Sequence, residues 1–338
     1  MARKYFSGVL WLFASLGATA ETTPVIESQM DRNSPLVIAH RGASGYLPEH
    51  TLEAALLAFQ QGADFIEQDI VMTQDRQLVV LHDIHIDTTT NVAKAYPNRA
   101  RSDGRFYAID FTLSELKSLD VHERTDKDGN PVYPNRYNGQ ARFKIATFNE
   151  HIELIQLLNQ LNQTDVGLYP EIKAPAWHRQ QGYDISKAVL SVLRHYQLDD
   201  ATKAIYVQCF DFEETKRLRN DLNAKVKMVQ LIGDNSWGES ETDYAYLLSE
   251  QGLNDIGAVA QGIGPWYPQL VDTEYRPQPW VGDARQLGLA IHPYTFRADA
   301  LPSDVSSQQF LKLLFNDIQV DGVFTDQTDI VVKYLNRR

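Results

Sequence analysis

Phe65-Ile-Glu-Gln-Asp-Ile-Val-Met-Thr-Gln-Asp-Arg-Gln-Leu-Val-Val-Leu-His82 contains two apolar, β-branched runs, residues 65–71 and 78–82. Eight residues separate Asp69 from Leu78, whereas a crossover between parallel strands needs about a dozen or more. The two runs are therefore expected to form an antiparallel hairpin. A turn centred on Asp75-Arg76 makes paired residue numbers sum to 151, which sets Asp69 opposite His82 on one face. The barrel-type helix that would ordinarily follow the second strand is then expected to be missing.

Outward from this hairpin, short apolar runs recur at residues 36–40, 166–171, 205–210, 228–232, 258–263, 289–294 and 322–325, which with 65–71 makes eight expected strands. Helix-period segments lie between most of them, such as Leu52-Ala55-Leu56-Phe59 closed by Gly62, and Ile152-Ile155-Leu158-Leu161. Alternation of this kind over most of a 338-residue chain predicts a parallel sheet, and eight strands predict an α/β fold of the TIM type, a (β/α)8 barrel. Residues 84–144 are polar and rich in Pro, Asn, Asp and Arg, with one helical segment at 112–119. They are expected to form a small subdomain inserted after the hairpin. Such an insertion either shapes the mouth of a site at the strand ends or decorates the surface.

The N-terminus has a charged Arg3-Lys4, an apolar run to Leu16 and a small-residue Ala18-Thr-Ala20. This pattern predicts a signal peptide over 1–20 with cleavage before Glu21, a periplasmic or secreted product and no stable membrane anchor after processing. Loss of Arg3 and Lys4 takes the formal charge from −12 to −14, so nucleic acid is not an expected partner. Cys209 is the only cysteine. It lies in an apolar run and is expected to be a buried strand residue rather than a nucleophile or half of a disulfide.

Strand periodicity puts Glu67 and Asp69 on one face. Two inward carboxylates in an apolar strand call for a compensating cation, and oxygen donors suit Ca2+ or Mg2+; a salt-bridged structural pair is the alternative. Glu171 and Lys173 share a face at the end of another strand, a third carboxylate beside a group that suits a phosphate oxygen. His40 and Arg41 end the first strand before Gly42 and Gly45, giving a proton carrier and a bidentate fork for phosphate. His82 is the second candidate proton carrier. Phe210, Trp266, Tyr267 and Tyr294, at or just past strand ends, are candidates to pack against a substrate's carbon skeleton, or are simply rim packing.

His40-Arg-Gly, Glu67-x-Asp69 with a turn and Leu81-His-Asp, Pro170-Glu-Ile-Lys, Gln208-Cys-Phe and Gly322-Val-Phe-Thr-Asp326 together resemble the glycerophosphodiester phosphodiesterase family. The runs Gly45-Tyr-Leu-Pro-Glu-His-Thr51 and His292-Pro-Tyr-Thr-Phe-Arg297 are most similar to its periplasmic bacterial members. The resemblance implies metal ligands at Glu67, Asp69 and Glu171, an acid/base pair at His40 and His82, phosphate contacts from Arg41 and Lys173, and Glu49 supporting the first loop. It implies Ca2+ as the ion and a small glycerophosphodiester as substrate. Two positions depart from the family: Asp75-Arg76 stands where a turn glycine is usual, and Thr325-Asp-Gln-Thr-Asp329 lacks an aromatic-Pro pair. Hydrolysis of intact phospholipids, and ligand binding without catalysis, are the rival functions.

Overall fold

The structure, a computed structural model, describes residues 34–337; the expected signal peptide lies outside the described residues. Nine strands form the sheet: β1 (Leu36–Ala39), β2 (Phe65–Met72), β3 (Leu78–Val80), β4 (Gly167–Ile172), β5 (Tyr206–Cys209), β6 (Lys227–Ile232), β7 (Gly262–Pro265), β8 (Ala290–Ile291) and β9 (Gly322–Thr325). Their order is β8-β7-β6-β5-β4-β2-β1-β9, with every neighbouring pair parallel, and β3 pairs antiparallel to β2. Between β8 and β9 the ladder is replaced by scattered bonds, Asp321 N to Ile291 O and Phe324 N to Pro293 O, each 3.0 Å, and an isolated bridge from Phe296 to Thr325. The eight parallel strands thus form a nearly closed barrel, as expected.

Three expectations need correction. The hairpin pairs Ile70 with Val80 and Met72 with Leu78, so paired numbers sum to 150 and Asp69 faces Leu81, whose N–H donates to Asp69 O at 2.9 Å. The connection is a three-residue loop, Gln74-Asp75-Arg76, closed by Thr73 N to Gln77 O. Arg76 takes the left-handed conformation at φ 63°, the geometry a turn glycine adopts with less strain. The second barrel helix is not missing but postponed: Phe148–Asn162, capped by Thr147 and Glu150 in a reciprocal capping box, follows the insertion and leads into β4. The strand expected at 258–263 begins only at Gly262, because Ala258, Val259 and Ala260 close the preceding helix, with Val259 N and Ala260 N both donating to Ile256 O. Their apolar character serves helix packing.

Residues 84–144 enclose a hydrophobic cluster of their own. Ile86, Phe106, Phe111, Leu116, Leu119, Val121 and Phe143 pack with Val71, Val79 and Leu81 at the top of the hairpin. Inside the barrel, alternate residues of the strands form a plug: Tyr169 touches Phe65, Tyr206 and Phe324, and its hydroxyl meets His292 Nδ1 at 2.8 Å. The same alternation carries Glu67, Asp69 and Glu171 upward from that plug. Asp69 stands beside Glu171, and Glu67 beside Tyr169.

Beyond β1 the chain turns through two consecutive left-handed residues, Arg41 (φ 61°) and Gly42 (φ 78°). A Cβ on Gly42 would lie 2.7 Å from the Ala54 carbonyl carbon, a backbone atom that cannot step aside. Gly42→Ala is expected to lower the unfolding free energy by about 2 kcal/mol or more, measured by urea denaturation; a loss below about 0.5 kcal/mol would mean that the turn relaxes freely.

Candidate active site

One cavity of about 210 Å³ opens at the C-terminal ends of the barrel strands, and His40, Arg41, Glu67, His82, Glu171 and Lys173 all line it. Phe210 and Tyr294 line it too. Asp69 is buried behind this wall, yet one oxygen from each of Glu67, Asp69 and Glu171 lies within 4.8 Å of the others. Glu49 is not a wall residue. It stands behind Arg41, accepting from Arg41 Nη1 at 3.0 Å, so it supports the first loop rather than meeting a ligand.

The carboxylates are unevenly compensated. Lys173 Nζ lies 2.6 Å from Glu171 Oε1; burial opposes the charge of Lys173, but Glu171 and Asp69 outweigh it and hold the ammonium protonated. The strained turn aims the Arg41 N–H at Glu67 Oε2 (2.9 Å), and Gln208 Nε2 donates to Glu67 Oε1 (2.8 Å). Burial and the neighbouring Asp69 still push the Glu67 carboxyl well above its ordinary range. Asp69 is held well below its own range, because Lys173 and His50 overcome the burial that opposes its charge. Its Oδ1 is buried without a hydrogen-bond partner. A tight set of oxygen donors with an orphaned buried carboxylate oxygen fits a hard divalent cation.

His40 and His82 have parallel surroundings. His40 Nδ1 is 2.6 Å from Asp326 Oδ1, and His82 Nδ1 is 2.8 Å from Asp83 Oδ1. A carboxylate acceptor assigns the proton to Nδ1 in each ring and leaves Nε2 as the free nitrogen. Burial, with Arg41 beside it, lowers His40 to about 3. Burial, Arg41 and Lys173 lower His82 to about 4. Both rings are neutral at pH 7. His82 reaches the cavity because the chain bends there, just past the last hairpin bond from Leu81 N–H to Asp69 O, not by standing opposite Asp69.

Each of those two carboxylates is in turn gripped by an arginine from the insertion. Arg136 Nη2 lies 2.6 Å from Asp326 Oδ2, and Arg136 Nε 2.8 Å from Asp299 Oδ2. Arg124 Nη1 lies 2.7 Å from Asp83 Oδ2, and the same guanidinium reaches both oxygens of Glu49 at 2.9 and 2.6 Å. The insertion therefore builds the site from behind instead of merely decorating the surface. None of Asp326, Asp83, Arg124 and Arg136 was given a role from sequence, nor was His50, whose Nε2 meets Asp69 Oδ2 at 2.7 Å. Asp326 carried a usable signal, since it directly follows a barrel strand as His40 does. Cys209 is buried with its thiol pushed up by burial, which suits no nucleophilic role.

Residues 40–330 match the model of the glycerophosphoryl diester phosphodiesterase family. The chain belongs to that family. It is 41% identical to a glycerophosphodiester phosphodiesterase of Haemophilus influenzae, over 94% of each chain. A Treponema pallidum enzyme described in the same words is 34% identical, covering 89% of this chain and 92% of its own. In three dimensions the barrel is similar to that of an Oleispira antarctica phosphodiesterase solved with its product sn-glycerol-3-phosphate, at a TM-score of 0.62 and 21% identity over 90% of this chain and 97% of that one. Membership in the glycerophosphoryl diester phosphodiesterase family makes this chain an enzyme, a phosphoric diester hydrolase acting on glycerophosphodiesters.

The arginine grip is testable without an activity assay. Arg136→Ala takes from the partly exposed Asp299 its charged partner, leaving Gln327 Nε2 at 2.9 Å, and leaves the buried Asp326 with only His40 and Arg297. Unfolding free energy is expected to drop by about 2–3 kcal/mol, short of the figure for a fully uncompensated buried charge. Arg142→Ala, which removes an exposed pair with Asp120, is expected to cost less than about 1 kcal/mol. Equal losses in calorimetry would show that Arg136 contributes no more than a surface charge.

Proposed function

We propose that this chain hydrolyses deacylated phospholipids such as glycerophosphocholine and glycerophosphoethanolamine to sn-glycerol 3-phosphate and an alcohol, by metal-dependent chemistry with His40 and His82 as acid/base pair. The observation that carries the reading is the pair of carboxylate-oriented imidazoles lining one cavity with Glu67 and Glu171. Glu67, Asp69 and Glu171 would hold the cation; their all-oxygen donor set suits Ca2+ and Mg2+ alike, and the family resemblance points to Ca2+. Such an ion, when bound, neutralises the carboxylates and stabilises negative charge gathering on the phosphoryl oxygens.

The chain's own residues supply the rest. Arg41, kept charged by Glu49 and Asp69, and Lys173 orient the phosphodiester and answer its charge. One imidazole takes the nucleophile's proton at its free Nε2 as the nucleophile's oxygen bonds to phosphorus, and the other, protonated at Nε2, delivers that proton to the departing alcohol oxygen as its P–O bond breaks. Burial depresses His82 most, with Arg41 and Lys173 adding to it; an anionic phosphate beside those two cations offsets their share and favours the protonated ring. Asp326 and Asp83 keep the rings in the required tautomer and stabilise them when charged. Phe210 and Tyr294 offer carbon surface to the glycerol.

Release of glycerol 3-phosphate from glycerophosphocholine tests this. Chelation is expected to abolish turnover and added Ca2+ or Mg2+ to restore it, while His40→Ala and His82→Ala each lower kcat by about 10²–10⁴-fold. Turnover indifferent to chelation would remove the metal from the reading; a variant retaining most of its activity would remove that histidine. The same reading takes the enzyme to be exported to the periplasm or beyond. The mass of the exported protein is expected to correspond to a chain starting at Glu21, and retention of residues 1–20 would refute the processing.

A further inference from the structure

The cavity has two unlike halves. His40, Arg41, His82 and Lys173, from the ends of β1, β3 and β4, give one half its two phosphate-binding cations and both proton carriers, beside the carboxylates that would hold the metal. The half opposite, beyond β6 and β7, is lined by Trp237, Glu239, Trp266 and Tyr267. The indole rings of Trp237 and Trp266 stand 5.0 Å apart at 67° and form a corner, with the Tyr267 ring 6.5 Å beyond Trp266. Trp237 is 42% exposed, so part of its ring surface is open at the mouth of the cavity, next to Trp266.

This corner is held in place. Trp266 directly follows β7; its N–H donates to Ile232 O at 3.1 Å, and it bridges to Tyr294. The Trp237 ring lies over Gly233, where a Cβ would come within 3.2 Å of it. Gly238, left-handed at φ 70°, turns the chain so that Trp237 and Glu239 both line the cavity. Glu239 is exposed at the mouth. Lys173 is occupied by Glu171, and Glu239 enters no ion pair among the described residues.

Aromatic faces carry negative potential, and with an unpaired carboxylate they attract a cation. The two indoles meet edge to face and both line the cavity, so what they offer there is aromatic surface with an N–H donor each and no hydrogen-bond acceptor. That suits a cation without N–H groups, a quaternary ammonium, better than a primary ammonium. We infer that Trp237, Trp266 and Glu239 form a head-group subsite for a quaternary ammonium, so that the cavity is the charge complement of a zwitterionic diester, phosphate at one end and trimethylammonium at the other. This rests on the proposed hydrolysis of glycerophosphodiesters and names the preferred member of that class. The two arms of the diester diverge from phosphorus, the glycerol toward the half-buried Phe210 and Tyr294 and the head group outward to the exposed tryptophan.

The test compares kcat/KM for three esters of glycerol 3-phosphate in the metal-loaded enzyme: choline, its uncharged carbon isostere 3,3-dimethylbutanol, and glycerol. Choline and the isostere have nearly the same shape, so their ratio isolates the positive charge. The wild-type ratio is expected to be about tenfold in favour of choline. It is expected to fall toward one in Trp266→Ala and by several-fold in Glu239→Gln, an exposed and isosteric change that spares the fold. Wild-type enzyme that hydrolyses the isostere as well as the choline ester overturns the subsite while leaving diester hydrolysis standing, as does a ratio unmoved in both variants. Failure to hydrolyse any of the three overturns the subsite together with the reading on which it rests.

Discussion

Three carboxylates, Glu67, Asp69 and Glu171, are buried side by side at one end of a barrel whose interior below them is aromatic and apolar. Burial leaves them little contact with solvent, so their charge must be met by neighbours or suppressed. Two cations, Arg41 and Lys173, reach them directly. The raised Glu67 carboxyl and the orphaned Asp69 oxygen measure what those two leave unanswered. A site in this condition attracts a further cation, and positions it beside the phosphate-binding arginine and lysine.

The deficit explains features that otherwise look unrelated. Arg41 and His50 both adopt left-handed backbone conformations without being glycine, and both are spent on the carboxylates: Arg41 gives its N–H to Glu67, and His50 gives its ring to Asp69. Strain of this kind persists only where surrounding contacts over-determine it. The insertion meets the same demand one layer out. Arg124 and Arg136 neutralise Asp83, Glu49 and Asp326, which lets two histidines keep carboxylate partners inside an already acidic pocket. An enzyme of this form thus depends on a segment whose composition leaves site-shaping and surface decoration equally open.

Wherever a property was local, it was legible in the residues. Alternation along a strand needs only nearest neighbours, so the common face of Glu67 and Asp69, and that of Glu171 and Lys173, could be read directly. Helix period is local as well: the segment at 112–119 and the spacing Ile152-Ile155-Leu158-Leu161 both fall in helices, Leu113–Ser118 and Phe148–Asn162. The hairpin register failed by one residue because it depends on whether Arg76 adopts a left-handed conformation, which composition alone does not announce. The postponed helix at Phe148–Asn162 failed for a topological reason, since the chain makes a long excursion before completing an ordinary β/α unit.

By itself the sequence determined the strand and helix periods, the barrel they imply, and ten of the side chains from His40 to Tyr294 that share the cavity wall, Trp266 and Tyr267 among them. Only the tertiary structure decided what stands behind them. Asp326 meets His40 across 286 residues and Arg136 meets Asp326 across 190, and no periodicity links such positions before the barrel closes. The aromatic corner of Trp237 and Trp266 likewise exists only because two separate loops converge at the mouth. Local chemistry is written in neighbouring residues, whereas the electrostatic balance of a buried site is a sum over every charge the fold brings near it.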